Sequence, residues 1–204
     1  MHSAALRHPA DDLTARARIR DTAIRRFAAD GMTVPLREIA AEAGVSAGLI
    51  LHHFGSRAGL RAECDAHVLA QVRGAKTDVL VDRGAGALLY RMTQVEGFAP
   101  LVGYVLRLLQ MGGETSRSFV DHVVADTIAY LTDAVEAGTI RPSRDPEGRA
   151  RVLVEQGLGA LLLRLPAHQE HLDLDGLSAW LRTYHETASL PVLELCTDGL
   201  LADR

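Results

Sequence analysis

Three features of this 204-residue chain predict an all-α fold. Apolar residues recur at helical spacing almost throughout, and no stretch alternates as a strand would. The run Ile39–Leu60 places two brief helical patterns either side of Gly44. The expected architecture is an N-terminal three-helix helix-turn-helix head, residues 1–60. A long fourth helix joins it to a helical body, residues 61–204.

Residues 1–12 read as a disordered arm. From Leu13 to Ala29, Ile19, Ala23 and Phe27 recur every four residues, with Ile24 and Ala28 beside them. Arg16, Arg18, Arg20, Arg25 and Arg26 fall largely elsewhere, giving an amphipathic helix. Asp30-Gly31 ends it. A second helix is expected at Pro35–Ala43, since proline's missing N–H costs nothing at a helix start. Gly44 supplies the positive φ of a tight turn. Ser46 is a good N-cap for a third helix reaching His52. The fourth opens near Arg57 and extends to about Val81, with Leu60, Cys64, Val68, Val72, Ala75 and Val79 on one face.

In the body, Gly84 and Gly86 mark a break before a helix at Ala87–Glu96 and a turn at Gly97–Pro100. Leu101–Met111 is apolar nearly all round, with Arg107 its only charge, and Gly112-Gly113 stops it. Ser116–Ala137 shows Phe119, Val123, Ile128, Leu131 and Val135, and Gly138 caps it. Pro146–Leu165 leaves little polar face. Leu174–Ala188 follows, and Pro191 either kinks that helix or starts another.

Net charge is −4, but its distribution is uneven. Residues 1–61 carry nine Arg against six Asp and Glu; residues 62–204 carry thirteen Lys and Arg against twenty. A basic head on an acidic body suits contact with DNA at one end only. Cys64 and Cys196 make no metal or redox spacing. The N-terminus lacks an apolar signal core. The longest apolar run, Leu101–Leu106, is far short of the ~20 residues that span a bilayer. A soluble cytoplasmic protein is expected.

A helix-turn-helix lays its second helix in the major groove, where base edges are readable. The positions expected to face DNA are Ser46, Ala47, Gly48, Leu49, His52 and His53, none of them a strong bidentate base reader. Arg37, on the preceding helix, is either that reader or an ordinary solvated arginine. Arg57 combines its charge with a positive helix end, which favours a phosphate; otherwise it is a surface arginine. His52 and His53 are adjacent, so they cannot easily clasp one ion. His168 and His171 sit in a polar loop. No metal and no cofactor is expected. No acid–base pair, nucleophile constellation or phosphate loop supports an enzyme, so no catalytic residue is assigned.

From Arg16 to Leu60 the chain resembles the N-terminal domain of the tetracycline-repressor (TetR) family of bacterial regulators. The matching residues are Ala23, Phe27, Gly31, Ile39-Ala40, Ala43-Gly44-Val45-Ser46, Gly48, His53-Phe54, Ser56-Arg57 and Leu60. It departs from the family at Leu51-His52, where a Tyr pair is common, at Pro35, where Thr is, and at Arg57, where Lys is. The resemblance implies a dimeric regulator, most often a repressor, that binds a palindromic double-stranded DNA operator. It also implies that His53 meets a phosphate and Phe54 packs inside the head.

It further implies release of the operator by a small-molecule effector held in a cavity of the body. Met92, Tyr104, Arg107, Leu108, Met111 and Tyr130 are the candidate liners, favouring a largely apolar effector; helically spaced aromatics also serve as plain core. Arg107 needs a partner: Glu114, a backbone carbonyl or an anionic ligand. For the homodimer, Gly157, Ala160 and Leu161 would meet Trp180, Leu181, Tyr184 and Ala188 in a four-helix bundle across a two-fold axis. Otherwise these helices fill the monomer core. The alternative function is a constitutive DNA-binding protein whose body only dimerises.

Overall fold

The computed structural model describes residues 9–81, 95–164 and 171–197. It consists of α1 (Pro9–Asp30), α2 (Leu36–Glu42), α3 (Ala47–Phe54), α4 (Arg57–Val81), a 3-10 turn at Val95–Phe98, α5 (Ala99–Met111), α6 (Gly113–Glu136), α7 (Pro146–Arg164) and α8 (Leu174–Thr197). No strand occurs among the described residues. The helix expected at 87–96 falls mostly outside them. Part of the supposed arm, Pro9–Asp12, is already helical.

The amphipathic pattern of α1 becomes its buried stripe: Ile19, Ala23, Ile24, Phe27 and Ala28 are all buried. They meet Ile39 and Ala40 of α2, Ile50 and Phe54 of α3, and Leu60, Cys64 and Val68 of α4. The same apolar cluster continues into the body through Tyr104, Leu108, Phe119, Val123 and Val154. Head and body therefore share one core.

Gly44 takes φ +64°, and the Ser46 side chain accepts a hydrogen bond from the Leu49 N–H at 3.1 Å. Turn and cap fix the angle between α2 and α3. On the far side, α1 lies along α5. A methyl at Gly103 would sit 3.0 Å from the Ala28 Cβ and 3.1 Å from a Leu172 methyl, so the close approach needs glycine.

A second apolar cluster joins Ala99 and Leu106 to Leu172, Leu177 and Leu181, with Leu161 and Trp180 packed on it. Pro191 starts no new helix: α8 continues through it to Thr197. Its missing N–H leaves one carbonyl of an exposed turn to water.

Candidate nucleic-acid interface and the junction behind it

The two faces of α3 are sharply different. Ile50 and Phe54 are buried against the head, while Gly48, Leu51 and His52 on the opposite side are exposed. Ser46 is exposed, and Ala47, Leu49 and His53 are half-buried along the flanks. His52 and His53 rings meet edge-on, with centroids 5.6 Å apart. Leu51, not among the positions expected to face DNA, is thus on the exposed side. The signal that could have found it is its spacing, three residues after Gly48 on the outward side.

The arginines of the head are mostly committed to its own structure. Arg16 pairs with Glu63 at 2.5 Å and also bonds the His53 carbonyl at 2.9 Å. Arg18 bonds the Ala43 carbonyl at 3.0 Å. Arg20 pairs with Asp21, Arg25 with Glu42, Arg26 with Glu38 and Asp30, and Arg61 with Asp65. Arg37 is exposed on the first turn of α2 and has no such partner among the described residues. Arg37 is thus the one arginine of the described head left without a protein partner.

Arg57, expected at a phosphate, is engaged within the head. Its guanidinium donates to the Val34 and Met32 carbonyls at 2.6 and 2.7 Å and lies 5.6 Å from the centre of the Phe27 ring. The loop between α1 and α2 has no regular hydrogen-bond ladder of its own, so its carbonyls need such a donor. Arg57 fixes that loop and, through it, the start of α2.

The described effector candidates are spread over α5 and α6. Met92 lies outside the described residues. Tyr104 and Leu108 are fully buried in the core shared by head and body. Met111 is exposed at the end of α5, and Tyr130 is half-buried on α6.

Arg107 takes the second of its three expected partners, backbone carbonyls. It donates to Ala28 and Ala29 at 3.1 and 3.0 Å, at the C-terminal end of α1. Those carbonyls have no partner within α1, so a cation there satisfies them and complements the helix dipole. Glu114, the other protein partner considered, pairs with Arg117. The Leu172 N–H also donates to the Ala29 carbonyl, at 2.7 Å, and His171 lies 2.8 Å from Asp30. Three groups of the body therefore hold the end of one head helix. An open groove of about 630 Å³ lies in the head, between Thr14, Arg18 and the Gly44–Ser46 turn. It touches none of the expected effector residues.

The dimer candidates divide. Leu181 is buried, and Leu161 packs on the same monomer cluster, so both face inward. Trp180 stacks on Tyr184 at 5.2 Å and also leans on that cluster. Gly157 is exposed, and Ala160 and Ala188 are half-buried. The apolar side chains left uncovered are others: Val152, Leu153, Leu162 and Leu163 on α7, and Leu190, Val192 and Leu195 on α8. Period alone could not separate the inner from the outer leucines of α7, because it is apolar on nearly every side.

Among the described residues, no group of three or more His, Cys, Asp or Glu could hold a metal ion. No described helix is long and apolar enough to cross a membrane.

Comparison with known proteins agrees with this architecture along the chain. A family model for the bacterial regulatory proteins of the tetR family matches residues 19–64. A model for the tetracyclin repressor-like C-terminal domain matches residues 96–202. The HTH-type transcriptional regulatory protein RaaS of Mycobacterium tuberculosis is 45% identical over 193 residues, covering 95% of this chain and 90% of that protein. A TetR-family regulator from Rhodococcus sp. shares the fold at a TM-score of 0.55 and 20% identity, over 84% of this chain and 96% of its own. Another, from Pectobacterium atrosepticum, does so at 0.54 and 21%, over 97% and 100%. Members of this family are DNA-binding regulators and not enzymes. The chain belongs to the TetR family of bacterial transcriptional regulators.

Proposed function

We propose that this regulator is a homodimeric repressor that reads a palindromic operator through α3 and Arg37 and leaves it when an effector binds the body. The observation that carries the DNA-contact assignment is Arg37. It is the single unpaired arginine of the described head, and it is exposed on α2, the helix that packs against α3. Ala47, Gly48 and His52 lie on or beside the exposed face of α3. Ser46, Leu49 and His53 border it, with His53 directed to a phosphate. Arg57 acts by holding the loop that positions α2.

Two copies would join through the uncovered leucines of α7 and α8, since an apolar patch of that extent is rarely left to water. A two-fold dimer would present two α3 helices to half-sites one DNA turn, or a multiple, apart. An effector acts only through different affinities for two states of the protein. Any shift of α5 would reach α1 directly, because Arg107 ties the two together.

The test of the interface is duplex binding by the purified protein, with sites enriched from a random pool. Arg37→Ala is expected to lose ~1–3 kcal/mol of discrimination at particular base pairs. Unchanged preference at every position would remove Arg37 from the interface.

The alternative, constitutive DNA binding by a body that only dimerises, is favoured by the complete burial of Tyr104 and Leu108. A thermal-shift screen against small apolar compounds separates the two. Stabilisation accompanied by weaker DNA binding supports effector control. No response across the screen supports the constitutive form.

A further inference from the structure

The exposed face of α3 sets a large apolar side chain beside a histidine. Leu51 lies on that face and is 45% exposed, although it is a large apolar side chain on a helix whose Ile50 and Phe54 are buried. Gly48 lies one turn before it and offers bare backbone; a methyl added there would meet nothing closer than the Ser46 Oγ at 3.8 Å. Ala47 beside it is equally short. The helix can therefore approach the floor of the groove closely enough for Leu51 to touch it. His52, also exposed, stands opposite the buried Ile50 and Phe54 and is the hydrogen-bonding side chain beside Leu51 on that face.

The described head arginines apart from Arg37 are bound to carboxylates or carbonyls of the head itself. Phosphate contacts carry no sequence information, so discrimination comes from the surface that meets the base edges. In the major groove one base edge offers an apolar group, the 5-methyl of thymine.

We infer that Leu51 is a specificity-determining residue that packs on the 5-methyl group of a thymine in each operator half-site, flanked by Ala47 and Gly48. This rests on the assignment of α3 to the major groove, and it adds the chemical group that α3 selects.

The test uses the full-length protein and a duplex enriched from a random pool. Each thymine is replaced in turn by deoxyuridine, which removes only the methyl group. For the wild type, one position per half-site is expected to lose roughly four- to tenfold in affinity, the effect of one methyl withdrawn from an apolar contact. Leu51→Ala should bind thymine and uracil duplexes equally, and Leu51→Met should keep the preference. The inference is overturned if uracil is tolerated at every position, or if Leu51→Ala discriminates as the wild type does. In both cases binding to the enriched duplex persists, so the groove assignment survives. If no sequence is enriched at all, the assignment of α3 to the groove fails, and the role of Leu51 fails with it.

Discussion

Tyr104 donates a hydrogen bond of 2.6 Å to Asp65 Oδ1, so the middle of α5 is fastened to α4. The same tyrosine ring stands edge-on to Phe27 of α1 with centroids 6.2 Å apart. One fully buried side chain thus touches two of the helices that carry the head. Burial raises the Asp65 pKa, against the opposing effects of the Tyr104 hydrogen bond and the Arg61 charge. Burial, and then Asp65 itself, push the Tyr104 phenol far above its usual range.

The first prediction follows from that pair. Asp65→Asn keeps an acceptor for Tyr104 and removes a poorly solvated charge. A carboxylate whose folded pKa is raised contributes its full stability below the unfolded value of 3.8, and loses it as pH rises through the folded value. Asp65→Asn is therefore expected to match the wild type in acid and to gain on it towards neutral pH. Asp65→Ala leaves a buried phenol without an acceptor and should cost ~1–3 kcal/mol. Thermal melts across this pH range check both.

Arg107 gives the second. Arg107→Ala removes two charge-assisted bonds and exposes the orphan carbonyls of α1. The expected loss is about 1.5–3 kcal/mol in urea unfolding. Arg107→Lys should recover only part of it, because a single ammonium lacks the planar fork that reaches Ala28 and Ala29 together.

Arg57 gives the third, and it separates a structural role from a DNA contact. Arg57→Ala should lower the melting temperature, since two carbonyls lose their donor and Phe27 loses the guanidinium near its ring. The slope of DNA affinity against salt should stay as in the wild type. A phosphate contact would instead reduce that slope by about one counterion.

How far the sequence disclosed this molecule depended on whether its signal was periodic. Ile19, Ala23 and Phe27 reveal their helix because spacing alone decides which face is buried. Gly44 and Ser46 reveal the turn because each supplies a local need that few residues meet. Arg57 did not reveal its partners, and Arg107 revealed only their kind. Those partners are backbone carbonyls 23 and 78 or more positions away, and a carbonyl leaves no mark in a sequence. Leu51 was hidden for a different reason: as one more leucine it looks like core until the burial of Ile50 and Phe54 shows which way α3 faces.

The fourth prediction concerns Cys64, whose pKa burial pushes up to about 12. Its thiol stays protonated in the fold, so reaction with a thiol reagent should require unfolding. In a Cys196→Ser background, labelling of Cys64 is expected to follow the denaturant transition. The raised pKa also sets a pH window. Its contribution is complete below the unfolded value of 9.0 and is lost as pH rises towards about 12.

The fifth prediction distinguishes the two leucine faces of the body. Leu163 is 88% exposed on α7, and Leu190 is 75% exposed on α8. Leu181 is buried against Leu106, Leu172 and Leu177 in the same subunit. A charge placed at Leu163 has no internal packing to break. Leu163→Glu should therefore give a protein with wild-type helical circular dichroism that is monomeric by light scattering. It should bind an isolated half-site as the wild-type head does, but lose tight binding to the palindrome, because the second head is no longer held in register. Leu181→Glu buries an unpaired carboxylate, and unfolding or aggregation is expected instead. If Leu163→Glu remains a dimer at micromolar concentration, the seam lies elsewhere. If wild type is itself monomeric there, the uncovered leucines do not join two copies of this chain.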